Sequence, residues 1–381
     1  MKKTYKALLC GAAAVAAVGI AYAMDERFFE KAKDKLTVFK CRANSKIMEQ
    51  ALPLTDAMFP GPKVVSGADS AKKIPEVLKE LNVNKVMIVT GPTVGRTIVP
   101  PIAENLERHG IGYTIYDQVE ANPSVKTVEA IRAQYLENGC DGFLAIGGGS
   151  PMDAAKAAAA RVAKPNTPIG KMAGLMKVMI KVAPIVAVPT TSGTGSEVTM
   201  GAVISDHDER HKYAIMDPNL VPKYAVLDPK LTVSMPKFVT ATTGIDALTH
   251  AVESYVTWAY NNNASNRNAE EAVVKIFRNL KRAYEDGNDL EAREAMLIAS
   301  YKAGLAFNHT GVGYVHAIAH AMGGIYNTAH GLANAVIMPI VLEDYGTAVH
   351  PQLAHLAEIT GVKTTAVSYT HLRAHETRSN L

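Results

Sequence analysis

The chain has 381 residues, more than one hydrophobic core usually organises, so two domains are expected. Charged residues make up 20% of it and the net charge is +4 without a long basic run, which excludes a surface built to follow a nucleic-acid backbone. Cys10, Cys41 and Cys140 lie far apart and match neither a disulfide framework nor a CxxC metal pattern.

At the N-terminus, "MKKTYK" leads into the apolar run "ALLCGAAAVAAVGIAYA". Three readings fit: a secretion signal cleaved after Ala21-Tyr22-Ala23, a membrane anchor, or an apolar arm. Lys and Arg are denser after the run (Arg27, Lys31, Lys33, Lys35, Lys40, Arg42) than before it (Lys2, Lys3, Lys6). By the positive-inside rule this favours a cytoplasmic location for the domain after the run. Residues 1–36 are therefore set apart, with 7–23 as the stretch that would contact a membrane.

From about Val64 to Asp228, short apolar runs alternate with helical stretches. "KVVSG", "KVMIVTG", "GYTIYD", "GFLAIGGGS", "PIVAVPTT", "YAIMD" and "YAVLD" read as strands. "SAKKIPEVLKELN", "VKTVEAIRAQYLENG" and "PMDAAKAAAARVA" have helical spacing. Such alternation predicts a parallel, helix-covered sheet of the α/β class, Rossmann-like, over 37–232. From about Lys237 the strand signal disappears, and an all-α domain is expected over 233–365.

Within the α/β part, Gly147, Gly148 and Gly149 follow a strand, after which Ser150 would cap a helix with Pro151 at its first position and Asp153 in its first turn. Backbone N–H groups at such a turn suit a phosphate or pyrophosphate, although a plain tight turn explains the same residues. The pattern is not GxGxxG, and no acidic residue stands at that fingerprint's ribose spacing. A second loop, "PTTSGTGSEVT", also follows a strand and carries Thr190, Thr191, Ser192 and Thr194. Two such loops at strand ends of one sheet predict a nucleotide crevice.

In the helical part, Asp246 and His250 are four apart and share a helix face. Alone, that spacing is usually trivial. Further on, "VHAIAHAMGGIYNTAHG" places His316 and His320 on one face; Gly323-Gly324 is expected to end the helix, and the return would bring His330 back. Joined to Asp246 and His250, these histidines make a candidate Asp/His metal set for a first-row divalent ion. Spacing alone would make His320 a ligand beside His316, with His330 brought in by the return.

The motifs "GGGSPMDAAK", "PTTSGTGSEVT", "TGIDALTHAVESY" and "HAIAHAMGGIYNTAHGLANA" stand in the order and spacing of the iron-containing (group III) alcohol dehydrogenases, and from about Thr37 to Val362 the chain resembles that family, whose fold is dehydroquinate synthase-like. The resemblance implies metal ligands Asp246, His250, His316 and His330, and it moves His320 to a catalytic place near nicotinamide and substrate. It also implies that Gly147, Gly148, Gly149, Ser150 and Asp153 belong to the pyrophosphate loop, and that Thr190, Thr191, Ser192 and Thr194 line the rest of the coenzyme. The implied chemistry is hydride transfer between a primary alcohol or aldehyde and NAD or NADP, with the metal as Lewis acid. Fe²⁺ is favoured, Zn²⁺ suits the same donors, and a homodimer is implied. Alternatives on this fold are a polyol dehydrogenase, a dehydroquinate-synthase-like lyase, or a non-catalytic membrane-tethered or assembly-forming relative.

Two segments depart from the family. NAD-preferring members commonly carry an aspartate after the strand "KVMIVT", where this chain has Gly91, so NADPH is expected to serve at least as well as NADH. The tail 366–381, "AVSYTHLRAHETRSNL", resembles a translated sequencing adapter, so a natural chain continuing differently after about Val362 is expected, and His371 and His375 are not taken as ligands.

Overall fold

Apolar runs without polar alternation, such as Val86–Val89 and Phe143–Ile146, form strands only where both faces of a sheet are covered. The computed structural model, which describes residues 61–206, 211–257, 261–326 and 328–362, has that arrangement. The expectations for 1–36 and 366–381 lie outside the described residues. In chain order the α/β part comprises β1 (Lys63–Ser66), α1 (Ile74–Glu80), β2 (Lys85–Val89), α2 (Pro92–Thr97), α3 (Val99–Arg108), β3 (Gly112–Tyr116), α4 (Val125–Glu137), β4 (Gly142–Gly147), α5 (Gly149–Ala163), β5 (Gly174–Leu175), β6 (Ile185–Pro189), β7 (Gly201–Asp206), β8 (His211–Met216) and β9 (Tyr224–Leu227).

Six of these strands form one sheet in the order β1-β9-β6-β4-β2-β3, and every pairing in it is parallel. Met87, Phe143, Ala145, Ile185 and Ala187 face α4 and α5. Ile88, Leu144, Ile146 and Val186 face α1 and α3 on the other side. The alanines of α5, Ala154, Ala155 and Ala157 to Ala160, are fully buried, and their small side chains let this helix lie close on the sheet. Because β3 lies on one side of β2 and β4 on the other, the strand order reverses there, and in sheets of this kind such a reversal sets a crevice beyond the C-terminal ends of the two strands.

The strand read in "YAIMD" belongs elsewhere: β8 pairs antiparallel with β7 and parallel with β5 in a separate three-stranded sheet. Spacing gave no sign of the partner, because β5 is two residues long and β7 alternates around polar ends.

Helices then follow without further described strands: α6 (Lys237–Val256), α7 (Asn263–Glu285), α8 (Leu290–Thr310), α9 (Tyr314–Tyr326), α10 (His330–Asp344) and α11 (His350–Thr360). Ala251, Val252, Val273, Ile276, Met296 and Ala299 form the core between α6, α7 and α8. No single helix among the described residues is long and apolar enough to cross a membrane.

Two local expectations are corrected. Helix α5 begins at Gly149 with Gly148 as its extended N-cap, so Ser150 lies inside the helix, and its Oγ accepts a hydrogen bond from the Asn122 N–H at 3.2 Å. Gly323 and Gly324 do not end α9, which runs on to Tyr326. Two helical glycines cost about 2 kcal/mol in propensity, and burial of Val315 and Ala319 against Ala333 and Ile337 of α10 offsets it.

Candidate active site

The crevice is bordered by three loops. After β2, Gly91 is the extended N-cap of α2. After β4, Gly147 has φ +151°, a conformation that favours glycine, and a Cβ there would stand 2.7 Å from Pro151. After β6, the Thr190 N–H donates to the Gly147 carbonyl at 2.9 Å, tying the second loop to the first. The two loops touch closely: a Cβ on Gly148 would meet Thr191 Oγ1 at 3.1 Å, and one on Gly149 would meet Thr194 Cγ2 at 3.0 Å. Thr190 and Ser192 are buried, and Ser192 Oγ has no hydrogen-bond partner. Asp153 points away from the glycine turn; its two oxygens accept from Ser196 Oγ at 2.9 Å and the Val203 N–H at 3.0 Å.

Beneath the second loop, Lys156 is fully buried, and its Nζ donates to Ser196 O, Ser196 Oγ, Thr199 O, Thr199 Oγ1 and Gly201 O at 2.7–3.2 Å. Burial pulls this ammonium down to about 8, against the pull of Asp153 and Glu197. Glu197, 1% exposed, has been pushed up to about 7 by burial, and its Oε1 has no partner. These groups were not singled out in the sequence.

The same loop reaches the helices. A Cβ on Gly193 would stand 2.8 Å from the Thr243 carbonyl of α6, one turn before Asp246. On that helix Asp246 and His250 are both buried, with His250 Nδ1 4.0 Å from Asp246 Oδ1. His316 of α9 brings Nε2 to 3.5 Å from the same oxygen, and His330, the first residue of α10, brings Nε2 to 3.4 Å. The donor atoms of Asp246, His250 and His316 all lie within 4.8 Å of one another. Gly331 explains how α10 comes so close: a Cβ there would stand 2.0 Å from the Thr242 carbonyl.

The electrostatics suit a cation. Burial pushes the Asp246 carboxyl up, yet the imidazoles of His250, His316 and His330 outweigh it and hold it well below the usual range. His250 is pushed down to about 3, mainly by burial, so its nitrogens are unprotonated acceptors apart from one N–H, and Nδ1 has no partner. His330 is also lowered, burial being the main cause. Asn334 sits among these groups: its Nδ2 donates to Asp246 Oδ1 at 2.8 Å and lies 3.3 Å from His316 Nε2 and 3.4 Å from His330 Nε2. A carboxylate and two imidazoles gathered within 4.8 Å, an orphaned buried nitrogen on one of them and a third imidazole 3.4 Å from the carboxylate fit a first-row divalent ion.

His320 stands apart. It is solvent-accessible, its ring 4.9 Å from that of His330 and 6.3 Å from that of His316. Its inner side faces the cluster, and the partial loss of water there, with His330 and His316 nearby, pushes it down to about 4, which leaves the ring neutral near pH 7. Sequence reading missed Asn334 and Glu253, although both repeat on ligand-bearing helix faces, four residues after His330 and three after His250.

A parallel sheet with a glycine-rich turn at its strand ends thus stands next to a helical Asp/His cluster. The chain matches the iron-containing alcohol dehydrogenase model over 61–229 and the C-terminal model of the Fe-containing alcohol dehydrogenase family over 240–378. It is 36% identical to the NAD-dependent methanol dehydrogenase of Bacillus methanolicus, covering 83% of this chain and 82% of that protein. With the lactaldehyde reductase of Escherichia coli (strain K12) it shares 33% identity over 81% of this chain and 80% of that one. The solved alcohol dehydrogenase from Oenococcus oeni superposes with a TM-score of 0.78 at 34% identity, over 80% of each chain. The chain therefore belongs to the iron-containing alcohol dehydrogenase family, and it is an oxidoreductase of small alcohols and aldehydes.

Proposed function

We propose that this enzyme transfers hydride between a primary alcohol or aldehyde and NAD(P), with 37–232 as its nucleotide domain and 233–365 as its metal domain. The observation that carries this reading is the loop Pro189–Thr199, which lies against the triglycine turn through Thr191 and Thr194 and against α6 through Gly193. One loop thus joins the coenzyme crevice to the Asp/His cluster. Gly147, Gly148, Gly149, Ser150, Thr190, Thr191, Ser192 and Thr194 are read as holding the coenzyme near the crevice opened beside Gly91; Asp153 supports them from behind by bracing Ser196.

In this reading Asp246, His250, His316 and His330 hold the metal, Fe²⁺ by family or Zn²⁺ by donor set. When bound, the ion supplies Lewis acidity that makes an alcohol oxygen more acidic, and nicotinamide supplies the hydride acceptor. His320, neutral and accessible, accepts or donates a hydrogen bond to the substrate oxygen from the open side. The enzyme is read as a cytoplasmic homodimer, which sedimentation checks.

Replacing His316 or His330 by Ala should abolish metal retention, whereas His320→Ala should keep the metal and mainly slow turnover. Metal analysis of the purified variants decides this; equal metal loss in His320→Ala and His316→Ala would overturn the ligand assignment. A panel of alcohols and aldehydes at defined Fe²⁺, with both coenzymes, tests the activity itself.

A further inference from the structure

Glu253 lies in the last turn of α6, 1% exposed, one turn beyond His250 and two beyond Asp246. Its two oxygens do different work. Oε2 accepts from His316 Nδ1 at 2.5 Å, and Oε1 accepts from the backbone N–H of Val315 at 2.7 Å. Val315 is the second residue of α9, so its N–H is one of the donors a helix N-terminus leaves without an internal partner. The backbone closes on the carboxylate from a third side, since a Cβ on Gly313 would stand 2.7 Å from Oε1.

We propose that Glu253 is a positioning residue of the metal site: it fixes the tautomer and ring direction of His316 and, through Val315, the approach of α9 to α6. This rests on the proposal that Asp246, His250, His316 and His330 hold a metal. With the Nδ1 proton held by Oε2, the Nε2 lone pair of His316 is left facing Asp246 Oδ1. Only a carboxylate serves both donors. A glutamine in its place offers one acceptor oxygen and turns an NH₂ group toward the other N–H, so one of the two contacts becomes a clash of donors. The position thus couples two ligand-bearing helices: Asp246 and His250 on α6 are set against His316 on α9 by one buried side chain.

A cap that merely stabilised α9 would act on folding and leave metal affinity alone. A positioning role acts on the metal. The test measures Zn²⁺ affinity by chelator competition and the thermal midpoint of the metal-free protein, for the wild type, Glu253→Gln and Glu253→Ala. Zn²⁺ binding should weaken about 10- to 100-fold in both variants, beyond any change in the metal-free midpoint. Zn²⁺ affinity equal to wild type in a folded variant would overturn the positioning role while leaving the ligand set standing. If the wild type itself takes up no Zn²⁺, the metal reading falls and this role falls with it. Imidazole ¹⁵N spectra of the Zn²⁺-loaded wild type give a readout independent of any variant's folding. His316 should show a protonated, hydrogen-bonded Nδ1; an unprotonated or zinc-bound Nδ1 would overturn the role.

Discussion

Glu197 occupies a place that carboxylates usually avoid, with one oxygen unpartnered and burial pushing it up to about 7. Between its ordinary value of 4.5 and about 7, the folded chain keeps a proton that the unfolded chain has lost. Its contribution to stability therefore falls as pH rises through that window and stays low above it. Glu197→Gln should remove this slope and raise unfolding stability at pH 8 by about 3 kcal/mol, read as urea midpoints at pH 5 and pH 8. An unchanged slope would assign the dependence to another group. Gly91 carries a prediction of the opposite kind, about a charge that is missing. Arg96 is exposed on α2, while Asp117 at the end of β3 packs against Gly95 of the same helix. Without a carboxylate at 91, NADPH should be used at least as well as NADH, and Gly91→Asp should shift kcat/KM toward NADH. A strong NADH preference in the unaltered enzyme would refute this.

The elements explain which features were legible in the sequence. Fully buried strands such as β4 and β6, and long helices such as α6, α7 and α8, were read because their apolar runs or periods are long. The break expected at Gly323-Gly324 failed because packing of α9 on α10 overrides local propensity. The separate β5-β8-β7 sheet was not legible, since sheet membership depends on partners distant in the chain. At the site, regular spacing brought out Asp246, His250 and the three histidines, while Lys156 gave no signal because its partners are carbonyls and hydroxyls some forty residues away, and Glu197 none because its Oε1 has no partner. Helix approach also has a residue-level lever. Gly331→Ala would drive a methyl group into the Thr242 carbonyl, so α10 must move off α6 and carry His330 with it. The expected cost is about 2–3 kcal/mol in stability together with at least tenfold weaker Zn²⁺ binding, measured by unfolding and chelator competition. Wild-type affinity in this variant would show that His330 is not held by that contact.

For the whole molecule, the ligands of the proposed metal come from α6, α9 and α10, so the ion would cross-link three helices. By linkage, free Zn²⁺ at a thousand times its dissociation constant should stabilise the fold by about 4 kcal/mol, and His316→Ala should lose that gain. A thermal midpoint independent of Zn²⁺ concentration would argue against a structural contribution. The outer pairing of the main sheet has a different consequence, one of timing. Lys63–Ser66 find their only described sheet partners in Tyr224–Leu227, and β9 is also what joins β1 to β6. On a ribosome adding about 5–20 residues per second, β1 must wait on the order of ten seconds for β9 to emerge. Throughout that interval β1 is a strand without its partner, and in the last few seconds, once β6 has emerged, the outer edge of β6 is open as well.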